Sequence, residues 1–312
     1  MKCIKKRFSI GVSLNMSNEE FIKILDCYSP YIKDVYFSPP LGENYHTRKA
    51  IHENYMQDNA EERLYELLAY SLKKGLKIEL ALNGHGMKEE NIVQALNYIC
   101  NKIEVDSIVT FNKYADIVKS YYPTVKLIYS YNNKLRNYED IRNINKLFDE
   151  VVIGNSGLRN ESLFRKCKES GFNTRLLLNN GCSFNCLWCE NSNLCKTIFN
   201  KNLITYTADQ LYALQSIMPW EIHEHYRYSD SVDMYKISNR PCTYDYLDKC
   251  LSSYIYNINE NYISESKNNY YLWARLGHFS SHYKNLKYDT IIEFKKYLWQ
   301  KEKLNWKEEK II

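Results

Sequence analysis

The feature that most restricts the fold of this chain is an eightfold alternation of short apolar runs with longer amphipathic stretches. The apolar runs are too short for ordinary helices and are typical of buried strands. The intervening stretches carry apolar residues at helical spacing. Several of them have recognisable ends, such as the capping-box pair Ser17 and Glu20 and the stop glycines Gly75 and Gly171. The predicted strands are 8–14, 34–38, 77–82, 106–110, 125–129, 150–153, 174–178 and 232–237.

Helices are predicted between these strands and after the last one. Strand–helix alternation fits a doubly wound open sheet as well as a barrel. The count of eight, and the absence of a Gly-rich phosphate turn after the first strand, favour the barrel. We therefore expect a single (β/α)8 TIM-type barrel over residues 1–256 and a C-terminal extension with a terminal helix over 257–312. The main predicted helices are 59–74, 88–100, 113–121, 138–148, 161–170, 208–216, 244–254 and 289–309.

A cysteine-rich segment, residues 181–195, directly follows the seventh predicted strand. It contains Cys182, Cys186, Cys189 and Cys195 at the spacing Cys-x3-Cys-x2-Cys-x5-Cys. Thiolates at such spacing suit an iron–sulfur cluster or a tetrahedral zinc ion. Zinc ribbons bring a second Cys-x2-Cys knuckle, which is missing here, and unconnected thiols are the third alternative. We expect these four cysteines to bind a [4Fe–4S] cluster, with Cys242 as a rival to Cys195 for the fourth position.

Polar residues collect at the predicted C-terminal ends of the strands, where barrel enzymes carry their chemistry. Lys236 and Arg240 belong to the eighth strand and its loop, beside the cysteine-rich segment. Their cations would bind an anionic substrate or the cluster, and the alternative is an ion pair that closes the barrel mouth. His85, between two glycines, is a candidate proton donor. The other predicted mouth residues are Asn15, Ser38, Asn83, Ser130, Asn132, Asn133, Asn155, Arg159, Asn179 and Asn180.

The net charge and the cysteine content restrict the classes of binding partner and the cellular compartment that we expect. The net charge of +5 permits contact with RNA without demanding it. Ten cysteines behind an N-terminus without a signal-like pattern indicate a reducing compartment. No apolar run approaches the roughly 18 residues of a membrane helix. We expect a cytoplasmic protein with no membrane contact.

Two motifs together resemble the collagenase-like peptidase family (family U-32). The segment Val232-Asp-Met-Tyr-Lys-Ile-Ser-Asn-Arg240, followed by a tyrosine-rich helix, is similar to the family signature "vdslKIeGR". The Asn-Gly-Cys turn after the seventh strand and the passage ELLAYSLKKGLKIELALN also resemble family segments. The resemblance covers residues 8–256. This chain differs by compressing its cysteines into one segment and by carrying Ser238-Asn239 where the family has Glu-Gly.

The resemblance implies a barrel with a four-cysteine iron–sulfur cluster and an oxygen-independent hydroxylation of a small molecule or an RNA base. We also expect an electron donor such as a ferredoxin, or a related partner subunit. A non-catalytic iron–sulfur subunit of a complex is the contrasting class. Peptidase activity is the weakest alternative, because the sequence has neither a His-Glu-x-x-His helix nor a Gly-x-Ser-x-Gly elbow.

Cys182, Cys186 and Cys189, with Trp188 before the last of them, also resemble the three-cysteine motif of radical S-adenosylmethionine enzymes. In that superfamily the motif follows the first strand of the barrel, whereas here six β/α units precede it. A radical enzyme that uses S-adenosylmethionine is therefore kept as an alternative to the four-cysteine redox enzyme.

Overall fold

The barrel is closed. The computed structural model describes residues 7–46, 49–84, 87–131, 135, 138–154, 157–178, 217, 219–222, 225, 230–238, 242–256, 293, 296, 297 and 300. Eight parallel strands follow one another in chain order around the barrel, and the eighth pairs with the first. The expected TIM-type (β/α)8 fold is confirmed. The strands are β1 (Phe8–Gly11), β2 (Ile32–Phe37), β3 (Lys77–Leu82), β4 (Ser107–Thr110), β5 (Lys126–Tyr129), β6 (Glu150–Ile153), β7 (Asn173–Leu177) and β8 (Met234–Ile237).

Helices follow most of the strands. Among the described residues they are α1 (Asn18–Tyr28), α2 (Lys49–Tyr55), α3 (Ala60–Lys73), α4 (Glu89–Ile99), α5 (Ala115–Tyr121), α6 (Tyr138–Arg142), α7 (Glu161–Glu169), α8 (Pro219–Glu221) and α9 (Tyr244–Tyr256). The predicted helix 208–216 lies outside the described residues. Of the predicted C-terminal helix the structure describes four residues, 293, 296, 297 and 300, which are helical.

The predicted helix ends are confirmed where a capping residue or a glycine carried the prediction. Ser17 and Glu20 form the reciprocal capping box at the start of α1. Gly75 and Gly171 follow α3 and α7 with positive φ angles of 70° and 91°, which glycine adopts without a Cβ clash. Among the described residues, no helix is long and apolar enough to cross a membrane.

Helix α6 is shorter than the predicted stretch 138–148. Asn145 lies beyond its end, and its Oδ1 accepts a hydrogen bond from Leu147 N at 3.0 Å. The backbone N–H of Asn145 donates to Asn112 Oδ1 instead of continuing the helical ladder. An asparagine side chain that bonds to the backbone two residues later forms a turn, and this turn competes with the helix.

The strands separate two regions of side chains. Alternate residues point outward and pack against the helices, and they form the hydrophobic core of the protein. Fully buried examples of outward-facing residues are Ile10, Val35, Leu80, Ile108, Leu127, Val151, Leu176 and Ile237. The other set points into the barrel, and several of its members are charged.

A repeated aspartate connects neighbouring strands at the N-terminal end of the barrel. Asp106, Asp149 and Asp233 each stand immediately before an even-numbered strand. Their carboxylates accept the backbone N–H of the second residue in the preceding strand, at 2.9 Å for Asp106, 2.8 Å for Asp149 and 2.8 Å for Asp233. The partners are Ile78, Leu127 and Thr174. These bonds set the relative position of three strand pairs at their first residues.

Helix α3 offers a direct test of the core. Leu67 is fully buried, whereas Leu72 on the same helix is 43% exposed. We expect Leu67→Ala to lower the free energy of unfolding by about 2–5 kcal/mol, because it leaves a cavity. The control Leu72→Ala should change it by less than about 0.5 kcal/mol. Urea unfolding followed by circular dichroism measures both, and equal losses would contradict the assigned packing.

Candidate functional site

Of the proposed catalytic residues and cluster ligands, the structure describes Lys236 and the rival ligand Cys242. Cys182, Cys186, Cys189 and Cys195 lie outside the described residues, and so do His85 and Arg240. The described residues closest to them in the chain lie at the C-terminal ends of strands. Leu178 follows β7, Gly84 closely follows β3, and Ser238 follows β8.

Strand β7, which leads into the cysteine-rich segment, lies beside β8, which carries Lys236. Leu177 is the register partner of Lys236. One residue further, the N–H of Leu178 donates to the carbonyl oxygen of Lys236 at 2.9 Å. The expectation that the seventh and eighth strands are neighbours at their C-terminal ends is therefore confirmed.

Lys236 points into the barrel and forms an ion pair. Its Nζ donates to Glu79 Oε1 at 2.6 Å, and the side chain is 10% exposed while that of Glu79 is fully buried. The same ammonium group lies 3.9 Å from the centre of the Tyr36 ring, a cation–π distance. Tyr36 is held in place because its hydroxyl donates to the carbonyl oxygen of Ile237 at 2.6 Å. The geometry of Lys236 thus matches the ion-pair alternative.

Arg175 is the centre of this charged interior. Its guanidinium contacts Glu150 at 2.5 Å through Nε, Glu79 at 2.5 Å through Nη1 and Asp34 at 3.2 Å through Nη2. Nη1 also donates to Ser9 Oγ at 3.2 Å. These partners come from β6, β3, β2 and β1, so the side chain of Arg175 reaches across the barrel from β7. We call Asp34, Glu79, Glu150, Arg175 and Lys236 the interior charge cluster.

Burial and pairing shift the pKa values of the carboxyl groups in opposite directions. Burial raises the pKa of Asp34 to about 6, although Arg175 beside it acts in the other direction. Burial alone would also raise the pKa of Glu79. Contact with both Arg175 and Lys236 outweighs burial and holds that pKa below its ordinary value. Glu79 therefore remains ionised between two cations, while Asp34 changes its charge near pH 6.

The cations respond differently because their partners differ in number. Burial lowers the pKa of Lys236, and its partner Glu79 offsets only part of this effect. Burial also acts to lower the pKa of Arg175, but Asp34, Glu79 and Glu150 together raise it. Arg175 is thus permanently charged, whereas Lys236 is the more easily deprotonated cation.

The sequence did not single out Asp34, Glu79, Glu150 or Arg175 as functional residues. Each belongs to a predicted strand, Glu79 and Arg175 in its interior and Asp34 and Glu150 at its first residue, whereas branched aliphatic side chains usually fill the interior of this fold. That position was the available signal, because a charged residue inside an apolar strand requires a partner when it is buried. Which partner it finds cannot be derived from spacing along the chain.

Neutral polar side chains lie nearer the C-terminal ends of the strands. Asn83 Nδ2 donates to Ser130 Oγ at 3.0 Å, and both side chains are buried. Ser13 Oγ donates to the carbonyl oxygen of Cys242 at 2.9 Å and accepts from its N–H at 3.3 Å. Asn83 and Ser130 were expected at the mouth, and the structure joins them. Ser13 was missed, and its hydroxyl attaches Cys242 to the end of β1.

A second buried ion pair connects the loop after β6 with helix α8. Arg159 contacts Glu221 at 2.8 Å through Nε and at 2.7 Å through Nη2, and both side chains are almost fully buried. Arg159 was expected at the mouth from the sequence. The pair attaches part of the long connection between β7 and β8 to the preceding loop.

An aromatic group lies beyond the end of β2. The His46 ring stacks on Tyr55 with 4.9 Å between ring centres, and His52 lies 5.6 Å from His46. The Tyr55 hydroxyl accepts a hydrogen bond from the backbone N–H of Ser38 at 3.3 Å. Through this hydrogen bond the aromatic group contacts the backbone of Ser38, which was among the polar residues expected at the mouth.

The described cysteines are separate from one another. Cys27, Cys100, Cys167 and Cys250 lie in or at the ends of helices, and Cys242 is buried beside β1. Within the described ranges no disulfide bond is present, and no three histidine, cysteine or acidic side chains are grouped in a way that suits a metal ion.

Fold and interior together define a (β/α)8-barrel protein with a charge cluster buried in the barrel. No family model and no curated protein matches its sequence. Among solved structures, the U32 peptidase Mk0906 is 13% identical with a TM-score of 0.47, covering 77% of this chain and 96% of that one. A mutant tryptophan synthase α-subunit from Pyrococcus furiosus is 10% identical (TM-score 0.45; 81% and 95% covered). A GH113 β-1,4-mannanase is 11% identical (TM-score 0.42; 82% and 91% covered). These similarities do not select an activity.

Removing the guanidinium group of Arg175 should strongly lower the stability of the folded protein. We expect Arg175→Met to lower the free energy of unfolding by about 3–5 kcal/mol, because it leaves three buried carboxylates without their shared partner. Arg142, at the exposed end of α6, provides the control. Arg142→Met should cost less than about 0.5 kcal/mol. Chemical denaturation at pH 7.5 compares the two variants, and a mild effect of Arg175→Met would disprove the role of the guanidinium as the central partner.

Asp34 should make stability depend on pH. Its folded-state pKa of about 6 lies above the ordinary value of 3.8, so the folded state binds the proton more tightly than the unfolded state. This contribution to stability is fully present below pH 3.8 and is lost as the pH rises through 6. Relative to the wild type, Asp34→Asn should therefore gain up to about 3 kcal/mol between pH 4 and pH 7.5.

Denaturation of both proteins across this pH range measures the difference. Asp58→Asn is the control, because Asp58 is exposed and lacks the burial that causes the effect. A difference between Asp34→Asn and the wild type that stays constant with pH would rule out a raised pKa at Asp34.

Proposed function

We propose that this chain is an iron–sulfur-dependent redox enzyme whose active site lies at the C-terminal mouth of the barrel. The observation that carries the proposal is the position of β7. Its C-terminal end, on the face where (β/α)8 barrels carry their active sites, leads directly into the segment with four cysteines. The neighbouring strand β8 contributes Lys236 to the same end of the barrel.

The length of chain between β7 and the first cysteine supports this site. Cys182 stands four positions after Leu178, with three residues between them. A fully extended chain spans at most about 3.6 Å per residue, so Cys182 stays within about 14 Å of Leu178. Leu178 in turn is hydrogen-bonded to Lys236. A cluster bound by this cysteine would thus remain near the barrel mouth.

The donor set suits the cofactor. Four thiolates are the usual ligands of a [4Fe–4S] cluster, which would supply one-electron chemistry to the site. Cys182, Cys186, Cys189 and Cys195 would hold it, with Cys242 as the rival fourth ligand. Cys242 is held beside the end of β1 by two hydrogen bonds to Ser13.

The residues of the barrel would bind and orient the substrate. Asn83 and Ser130 offer amide and hydroxyl groups at the mouth, and the ion pair of Lys236 with Glu79 lies below them. His85 and Arg240 are the further candidates from the sequence. A small molecule or an RNA base is the proposed substrate, with a ferredoxin-like electron donor or a related subunit as partner.

The motif resemblance to family U-32 supports the type of reaction. The similarity around Lys236 and Arg240 favours membership of that family and an oxygen-independent hydroxylation. Residues 234–237 form β8, so the middle of the motif lies on the last strand of the barrel. We include a cytoplasmic location in the proposal, because that compartment keeps cysteine thiols reduced.

Anaerobic purification should yield brown protein with about four iron and four sulfide per chain. We expect Cys186→Ser and Cys189→Ser to lose most of this iron, because each removes a ligand. Cys27→Ser is the matched control, since Cys27 is an exposed residue of α1 and should leave the iron content unchanged. Iron and sulfide assays with electron paramagnetic resonance provide the measurement. Colourless protein that carries one zinc ion would contradict the proposal.

Iron and sulfide assays on two further variants identify the fourth ligand, and two other assays separate the alternative functions. Cys195→Ser and Cys242→Ser identify the fourth ligand, because the cluster should be destabilised by the loss of only one of them. Formation of 5′-deoxyadenosine from S-adenosylmethionine and dithionite would instead support a radical enzyme. A cluster without turnover until a second subunit is added would support the non-catalytic subunit.

A further inference from the structure

Lys236 has an environment that its ion pair alone does not explain. The interior of a (β/α)8 barrel is usually filled by branched aliphatic side chains, and burial of an ammonium group is costly even when it is paired. Arg175 already neutralises Glu79 and contacts two further carboxylates. Lys236, the second cation on Glu79, is therefore not needed to neutralise this carboxylate, and its burial indicates a chemical role.

Lys236 is also the cation of the cluster nearest the mouth. In the register of β7 and β8, Arg175 is level with Met234, and Lys236 is level with Leu177, two residues closer to the C-terminal ends. The Lys236 side chain is 10% exposed, compared with 2% for Arg175 and none for Glu79. Of these three side chains, that of Lys236 is the most exposed.

From this geometry we infer that Lys236 is a nucleophilic amine that forms an imine with the carbonyl group of a small aldehyde or ketone. The supporting groups are Glu79, whose Oε1 is 2.6 Å from Nζ, and the face of the Tyr36 ring at 3.9 Å. A desolvated lysine with a second cation nearby is a suitable nucleophile for a carbonyl carbon, and Arg175, which shares Glu79 with Lys236, is that cation. The inference stands on the described barrel interior and does not require the iron–sulfur cluster.

The reaction balances within these groups. The ammonium proton passes along the hydrogen bond to Glu79, and the neutral amine attacks the carbonyl carbon to form the N–C bond. As the N–C bond forms the carbonyl π bond opens, and a second proton moves from the nitrogen to the oxygen to give a hydroxyl group. The proton held by Glu79 then transfers to this hydroxyl group, the C–O bond breaks, and one water molecule leaves. The product is a protonated imine, which keeps the positive charge beside Glu79 and the Tyr36 ring.

The ion pair of Lys236 with Glu79 suits this reaction because the charge on the nitrogen is conserved. Because the protonated imine carries the same charge as the ammonium group, the ion pair with Glu79 is present both before and after the reaction. The lowered pKa of Lys236, which results from burial, makes the neutral amine easier to reach near pH 7. An exposed lysine has fewer than about one amine in a thousand neutral at that pH.

Reductive trapping tests the inference. The purified protein is incubated at pH 7 with pyruvate, acetaldehyde or dihydroxyacetone, each with sodium borohydride, and the adducts are mapped by peptide mass spectrometry. We expect at least one of these probes to label Lys236 about tenfold or more above the exposed Lys126. Labelling spread over surface lysines without an excess at Lys236, with all three probes, would overturn the inference.

Two variants sharpen the result. Lys236→Arg retains a cation beside Glu79 and cannot form an imine, so it should remove the preferential adduct while circular dichroism shows a folded protein. Lys126→Arg should leave the adduct at Lys236 unchanged. The mapping on the wild-type chain decides the question even if Lys236→Arg does not fold. Loss of the iron–sulfur cluster in a cysteine variant should not abolish the labelling, which separates this inference from the proposed redox function.

Discussion

The structure depends on the placement of one guanidinium group inside the barrel. Arg175 extends from β7 and contacts carboxylates on β2, β3 and β6. Burial of these charges costs free energy, and the cost is offset only while all partners remain at hydrogen-bonding distance. The interaction therefore favours a closed arrangement in which strands far apart in the chain face one another. An open sheet with the same strand order would keep Glu150 beside Arg175 but would separate Asp34 and Glu79 from it.

The interior charge cluster carries three carboxyl groups and two cations, so full ionisation leaves one negative charge in excess. The raised pKa of Asp34 means that this excess is removed below about pH 6 by protonation of a single group. Glu79 stays ionised because it lies between Arg175 and Lys236. The carboxylate that contacts both cations thus belongs to the same part of the cluster as Lys236, the cation nearest the mouth.

Much of the fold could be predicted because it follows from local rules. Strand length and helix ends depend on apolar runs, Ser17 with Glu20, and glycines with positive φ, all of which are properties of neighbouring residues. The prediction was wrong where a side chain acted on a distant backbone group. Asn145 ends α6 early by its pairing with Asn112, which lies 33 positions away in the chain.

The candidate site likewise contains residues that the sequence predicted and residues that only the structure revealed. Lys236 was expected at the mouth beside the strand that precedes the cysteine-rich segment, and both positions follow from the order of the strands. Its partners Glu79 and Tyr36 were not expected. Ser13 was also missed, because its role consists of two hydrogen bonds to Cys242 across the join between β1 and the loop after β8.

By itself the sequence determined the eight strand–helix units, their order and the position of the cysteine-rich segment after the seventh strand, since these depend on periodicity and local signals. Only the tertiary structure decided that residues 9, 34, 79 and 150 meet Arg175, the first of them 166 positions away in the chain. Alternation shows which face of a strand a side chain occupies. The closure and stagger of the barrel determine which side chains meet across its interior, and these are properties of all eight strands together.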